Sequence, residues 1–467
     1  MTIEEPDAGP RPVDVPHKRE FLGHPFGLWV IAFTEAFERF SYYGMQTLLT
    51  LYMVKALLFA PHIEQIWGFH WFSGVLTMIY GAPPTTQALA SHIFGTYTAL
   101  VYLTPILGGL LADLVLGKTR TVTLGALLMT AGHFLMAFDQ SFLIALLLLV
   151  LGVGCLKGNL ASQVGLLYRP GDGRATDGYQ LYYIGISAGA FFAPLVCGWL
   201  GEEVAWHYGF AAAGVGMVVG LIVYLTGRHH LPPEPKAVRA AGPVQSAPAL
   251  TRRDFAVLAL LALMIPVLAV GALGNQQMFN AYLVWADRSY DFQLFGYRMP
   301  TSFLVSFDAF TGFVTLGGAV IFWRWYARHF REPDEMTKLI LGCAISSSAF
   351  LLVMLVASRH EATGVKPGLW VALLVNTLNN IGFANVFPVS LALYSRVAPR
   401  AIAGTVIGVF YLFLFGSNLL VGWVGGWLDI MPVGRFWGIH VAATLGAAGV
   451  FLLVKLLFGR LLRPQPA

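Results

Sequence analysis

Twelve continuous apolar runs, nearly all of 20 residues or more, constrain this chain more than anything else in it. They lie near 27–55, 89–115, 120–138, 141–167, 176–200, 207–227, 254–286, 303–326, 336–358, 368–395, 401–427 and 436–460. A helix needs about 20 apolar residues to cross the hydrocarbon core of a bilayer. Only helices and closed barrels satisfy their backbone polar groups there. Barrel strands would alternate in character over about 10 residues, and these runs do not alternate. The chain is 57% hydrophobic and 11% charged, whereas a soluble protein carries about 25% charge. The fold class is therefore an all-α polytopic membrane protein with 12 transmembrane helices.

Lys and Arg set the expected orientation. With the N-terminus inside, 21 of the 29 fall on the cytoplasmic side and six (Lys55, Arg288, Arg298, Arg359, Lys366 and Arg435) outside. The remaining two, Arg39 and Lys157, stay in the membrane. That asymmetry predicts both termini in the cytoplasm of a plasma (inner) membrane protein. It also accounts for the net charge of +5 without any nucleic-acid partner. Cys155, Cys197 and Cys343 lie in three different apolar segments, which argues against a disulfide framework or a metal site. No signal peptide is apparent in the polar first 20 residues. Residues 56–88 read as an outer loop whose Trp, Phe and His suit a membrane interface. The Pro/Ala-rich basic stretch 228–253 reads as a linker. The organisation is then a tail (1–22), a six-helix bundle (23–227), the linker (228–253), a second six-helix bundle (254–460) and a tail (461–467). Two bundles of six joined by a cytoplasmic linker is the plan of the major facilitator fold. The loop Gly109-Leu-Leu-Ala-Asp113-Leu-Val-Leu-Gly117-Lys118-Thr-Arg120 resembles that superfamily's cytoplasmic signature.

The first span carries an expensive cluster, Glu35-x-x-Glu38-Arg39. Positions i, i+3 and i+4 share one helix face, and each charge at the bilayer centre costs roughly 2.5–3.5 kcal/mol. The face must look into protein or a wet cavity. A structural ion cluster would satisfy it, but such residues more often mark substrate or proton pathways. Lys157, in Gly152-Val-Gly-Cys-Leu-Lys157-Gly158-Asn159, is the basic counterpart on the fourth span. If it faces Glu35 and Glu38, one proton decides which partner Arg39 and Lys157 hold, which is the physics of proton coupling. Tyr42, Tyr43, Tyr102, Tyr182, Tyr183 and Ser187 offer hydroxyls in the first half. The second half offers amides: Asn275, Gln276, Gln277, Asn376, Asn379, Asn380, Asn385 and Asn418. Hydrogen bonding between helices is the default for these; Asn275 and Gln276 are expected to face the cavity.

These residues resemble the proton-dependent oligopeptide transporter (POT/PTR) family. Glu35-x-x-Glu38-Arg39-Phe-x-Tyr-Tyr-Gly is similar to its ExxER signature. Gly154-Cys-Leu-Lys157 is similar to its Lys segment, Tyr182-Tyr183-Ile-Gly-Ile-Ser187-Ala-Gly189 to its FYxxxNxG element, and the stretch ending at Pro399 to its TKLAP. The resemblance implies a symporter importing di- and tripeptides by alternating access. Glu35, Glu38, Arg39 and Lys157 would handle the proton. Lys157, Tyr43 and Tyr102 would contact the peptide. Protons would be the coupling ion, with no cofactor, no metal and no obligate protein partner. No Walker-type phosphate loop is present, so ATP-driven transport lacks support, and no enzymatic constellation is visible.

Departures from the family pattern fall on the substrate side. Gln46 stands where relatives have Arg, and Asn275 where they have an acid, which suggests an amide–amide contact across an outer gate. Ser187 replaces an Asn. Phe383 stands in place of the tenth-helix Glu that faces the peptide amine, with Phe387 nearby. Asp308, early in the eighth span, either restores the missing negative charge or caps the helix start; both readings stay open. With the Glu gone, the cargo is alternatively an amine-modified peptide or another small carboxylate. A non-transporting membrane sensor is the rival of a different class.

Overall fold

The computed structural model describes residues 19–169, 172–232, 250–399 and 402–462. The expected cytoplasmic bases Arg11, Lys18, Lys236, Arg239, Arg400 and Arg463, most of the linker and both chain ends lie outside them. Twelve long helices follow one another in chain order. In the first half α1 is Phe26–Tyr52, α2 Thr86–Leu111, α3 Lys118–Leu135, α4 Phe142–Leu166, α5 Arg174–Ala193 and α6 Trp206–Gly227. In the second, α7 is Arg252–Gln277, α8 Phe303–His329, α9 Glu335–Thr363 and α10 Leu369–Val397; α11 is two pieces, Ala403–Phe410 and Leu412–Gly425, and α12 is Val433–Phe458. Ten of these segments are long and apolar enough to cross a membrane. The other two are α1, interrupted by its three charges, and α3, whose 18 residues begin with Lys118 and Arg120.

Local sequence accounts for several helix ends. Thr251 and Asp254 form a reciprocal capping box at the start of α7, satisfying two otherwise orphaned backbone donors. Asp334 caps α9 by accepting from Thr337. Pro105, Pro266 and Pro388 sit inside α2, α7 and α10, where each removes a helical hydrogen bond and permits a bend. The α2–α3 turn has Gly117 at φ +79°. The stretch 56–88, expected to be a loop, contains a helix at Phe69–Tyr80. Trp71, Met78 and Ile79 remain exposed on it. Phe69, Phe72, Leu76 and Tyr80, spaced at helical period, pack its other face on the core.

Helices α1–α6 pack on one another, as do α7–α12, and the two sets meet through α2 with α11 and α5 with α8. Contacts between the halves concentrate at the end away from the chain termini. Glu202 accepts from the backbone N–H groups of Thr301 (2.9 Å) and Ser302 (2.8 Å), so a residue of one half caps a helix of the other. Ser306 Oγ donates to the Phe191 carbonyl at 2.7 Å, and Lys55 pairs with Asp287 at 2.7 Å. Where α2 crosses α11, Gly95 lies directly on Gly422: a Cβ at Gly95 would stand 2.4 Å from the Gly422 Cα. Small residues let the two backbones touch.

Gly95→Val therefore overfills this crossing at about 1–3 kcal/mol while leaving each half intact. We expect unchanged helicity by circular dichroism, but faster maleimide labelling of an introduced Asn280→Cys than in the same cysteine variant without Gly95→Val.

Candidate functional site

Between α1 and α4 of the first half, beside Tyr102 of α2, the structure gathers the expected charges. On α1, Arg39 Nε lies 3.0 Å from Glu35 Oε1 and 2.5 Å from Glu38 Oε2. Side chains three and four residues apart on a helix are neighbours, so this arrangement follows from the spacing. All three are buried, and Glu38 is fully so. Glu38 Oε1 and one Arg39 terminal nitrogen have no hydrogen-bond partner among the described residues, and Glu38 Oε2 is held by the Arg39 ion pair. Buried carboxylates normally have their lone pairs filled, so this cluster retains capacity for a proton or a polar ligand.

Lys157 of α4 completes the set. Gly154, three residues before it, packs so closely on α2 that a Cβ at Gly108 would lie 2.0 Å from the Gly154 carbonyl. Lys157 is within electrostatic range of Arg39, Glu38 and Glu35. It forms no ion pair with either carboxylate among the described residues. Its Nζ instead stands 4.2 Å from the centroid of the Tyr102 ring, a geometry in which the ring face stabilises the cation by about 0.5–2 kcal/mol. The expected direct pairing with Glu35 or Glu38 is thus replaced here by a cation–π contact. Tyr102 in turn packs on the second half's core together with Phe383 and Phe387. With all four groups charged, the set sums to zero; one proton makes it positive.

The other expected residues divide. Tyr43 is half-buried and within range of Arg39, Tyr102 and Asp308, which places it between the halves. Ser187 is half-buried on α5 and donates to the Tyr183 carbonyl at 3.1 Å. Phe383 stacks on Phe387, rings parallel with centroids 5.7 Å apart. Asp308 does not cap α8. That helix begins at Phe303, and its start is held by Glu202. Asp308, one and a half turns further in, accepts from Asn380 of α10 at 2.9 Å, and Asn380 also reaches Thr311 Oγ1 at 2.9 Å. The expected Gln46–Asn275 contact is not formed: Gln46 Oε1 has no partner among the described residues, and Asn275 accepts from its neighbour Gln276 at 3.2 Å. Asn275 is buried.

Sequence reasoning missed the polar network above the cluster. Thr50, Gln87, Ser91 and Asn280 form a buried set in which Asn280 Nδ2 donates to Ser91 Oγ at 3.1 Å. Gln87 Nε2 donates to Ser91 Oγ at 2.9 Å and to the Gly425 carbonyl at 3.0 Å. Asn280 sits in the break that follows α7, before the helical stretch Ala281–Ser289. The i, i+4 spacing of Gln87 and Ser91 was the available signal. Tyr97, also missed, is buried within range of Glu38, and its hydroxyl has no partner.

Comparison with known proteins places this geometry among transporters. A model of the POT family matches residues 119–247. The peptide transporter YePEPT of Yersinia enterocolitica is 28% identical, the match covering 94% of this chain and 96% of that one. A di-/tripeptide transporter of Lactococcus lactis is also 28% identical, over 85% of this chain and 88% of its own. Among solved structures, a peptide transporter POT crystallised with sulfate superposes with a TM-score of 0.80 at 25% identity, covering 95% of this chain and 97% of that one.

The Asp308–Asn380 bond links α8 to α10 inside the second half. Asn380→Leu leaves the half-buried Asp308 carboxylate without its donor and should cost about 1 kcal/mol. Asp308→Leu with Asn380→Leu should cost less than the two single changes added together, measured by thermal unfolding in detergent.

Proposed function

The chain belongs to the POT family, and from that premise we propose that it is a proton-coupled symporter importing di- and tripeptides by alternating access. One observation carries the reading. A buried, net-neutral set of Glu35, Glu38, Arg39 and Lys157 stands against Tyr102, which packs on the second half, and leaves Glu38 Oε1 without a hydrogen-bond partner among the described residues. The protein is a transporter and not an enzyme. Both termini are cytoplasmic, as the Lys/Arg asymmetry supports, so the closed end of the bundle faces outward. The lipid bilayer of a plasma membrane is its environment, and no metal, organic cofactor or obligate protein partner is needed.

The mechanism follows from charge balance. With its net charge at zero, the set has no excess charge to hold a peptide carboxylate. A proton on Glu38 or Glu35 frees positive charge on Arg39 and Lys157. Lys157 then leaves the Tyr102 face for the peptide carboxylate, while Tyr43 and Tyr102 hydrogen-bond the peptide backbone. Ser187 and Asp308 border the same space, with Asp308 as the acid for the peptide amine. Gln46 and Asn275 belong to the outer end, which opens and closes around the loaded site. Release of peptide and proton to the cytoplasm restores neutrality.

A second reading is favoured by the Phe383–Phe387 stack, which offers an apolar wall where an acid would grip an amine. On it, the cargo is an amine-modified peptide or another small carboxylate. Proteoliposomes with an imposed pH gradient separate the readings. Wild type should accumulate labelled dipeptide, and Glu38→Gln and Lys157→Ala should fall to the level of protein-free liposomes. Accumulation by both variants at the wild-type level would sink the coupling proposal. N-acetylated dipeptide competing as well as the free one would select the second cargo.

A further inference from the structure

Away from the central site, a groove of about 590 Å³ opens where the start of α1 meets the end of α6. Its walls are apolar: Trp29 and Phe33 on α1, Val223 on α6, with Thr226 beside them. Phe33 is 55% exposed, so the groove opens sideways, to the surface that a spanning helix presents to lipid. Its upper end is closed by a short hairpin in which Glu20–Phe21 pairs with His24–Pro25. Trp29 Nε1 donates to the Phe21 carbonyl at 3.0 Å and ties that hairpin to α1.

The rim differs in character from the walls. Arg19, His229 and His230 line it, with no carboxylate among the described residues. The Arg19 guanidinium lies over the Phe26 ring, 5.0 Å from its centroid. The neighbouring Glu20 does not neutralise it, because Glu20 is paired with Arg174 at 3.3 Å. The two imidazoles are adjacent, centroids 3.9 Å apart, and both line the same rim. Arg19 with two imidazoles beside it, and no acid among the described residues of the rim, favours an anion. An aromatic trough that runs from it down the flank of two spanning helices selects hydrocarbon. Trp and Phe at this level are also what a headgroup boundary favours.

We propose that this groove is a binding site for one anionic phospholipid. Its phosphate sits at Arg19, His229 and His230, and one acyl chain lies along Trp29, Phe33 and Val223. The lipid then bridges α1, which carries the charge cluster, to α6 at the edge of the first half. Basic pockets of this kind gain about 1 kcal/mol per Lys or Arg near an anionic headgroup.

Native mass spectrometry of the full-length protein, delipidated in detergent, tests this with phosphatidylglycerol against phosphatidylcholine of the same chains. Wild type should retain phosphatidylglycerol over phosphatidylcholine. Arg19→Ala should bind phosphatidylglycerol about fivefold more weakly, and Val223→Trp, which fills the trough, should weaken both lipids. Arg435→Ala, at the opposite end of the bundle, should change neither. Equal retention of the two lipids by wild type would overturn the proposal. So would wild-type phosphatidylglycerol binding in both Arg19→Ala and Val223→Trp, or its displacement by inorganic phosphate, which would mark a free-anion site.

Discussion

Three charged side chains on one face of a membrane helix must be neutralised by something other than water, and much of this structure answers that requirement. Arg39 bonds back along its own helix to Glu35 and draws in Glu38. That leaves one negative charge in excess, which α4 balances with Lys157. Close glycine packing of α2 on α4 brings Lys157 near, yet stops short of a salt bridge. A tight buried pair would be hard to break, because separating it exposes an uncompensated charge. A lysine held on the face of Tyr102 is balanced at a distance and can be re-partnered at lower cost. Tyr102 also touches the second half, so movement of Lys157 and movement between the halves share a side chain.

The two halves contribute unequally. The first holds every charge of the cluster. The second faces it with a stacked pair of phenylalanines and a single acid, Asp308, itself tied to Asn380. At the closed end the halves meet through amides, hydroxyls and touching glycines, with Lys55–Asp287 at its margin and Glu202 capping α8 across the divide. Neutral hydrogen bonds contribute about 0.5–1.5 kcal/mol each. Such an interface closes firmly as a group while each contact stays individually weak, which suits a gate that opens in every cycle. Several of its amides, including Gln46 and Gln277, have unpartnered atoms when closed. Opening would hydrate these groups and so lower the free energy of the open state.

The spans were legible because the bilayer imposes a length and a polarity that the chain must write in order; each expected segment lies within a few residues of a helix. The charge cluster was legible because helical spacing alone brings Glu35, Glu38 and Arg39 together. What failed had its cause in tertiary contacts. Asp308 read equally as a cap or a site residue, since the actual cap, Glu202, comes from about 100 residues away. Lys157 and Tyr102 are 55 residues apart, and nothing in either segment announces that they meet. The Gln46–Asn275 contact was inferred by replacing an ion pair with two amides, but Asn275 is engaged by Gln276 instead. The helix at Phe69–Tyr80 escaped because its Trp, Phe and His read equally well as interfacial aromatics of a loop.

The central claim is that a carboxyl of α1 takes up a proton as peptide is carried inward. The direct measurement is lumenal pH in proteoliposomes loaded with a pH-sensitive dye, with no gradient imposed and dipeptide added outside. The account requires peptide entry to acidify the lumen in wild type, and requires that Glu38→Gln abolish the acidification. Peptide entering wild-type vesicles with no change in lumenal pH would contradict it.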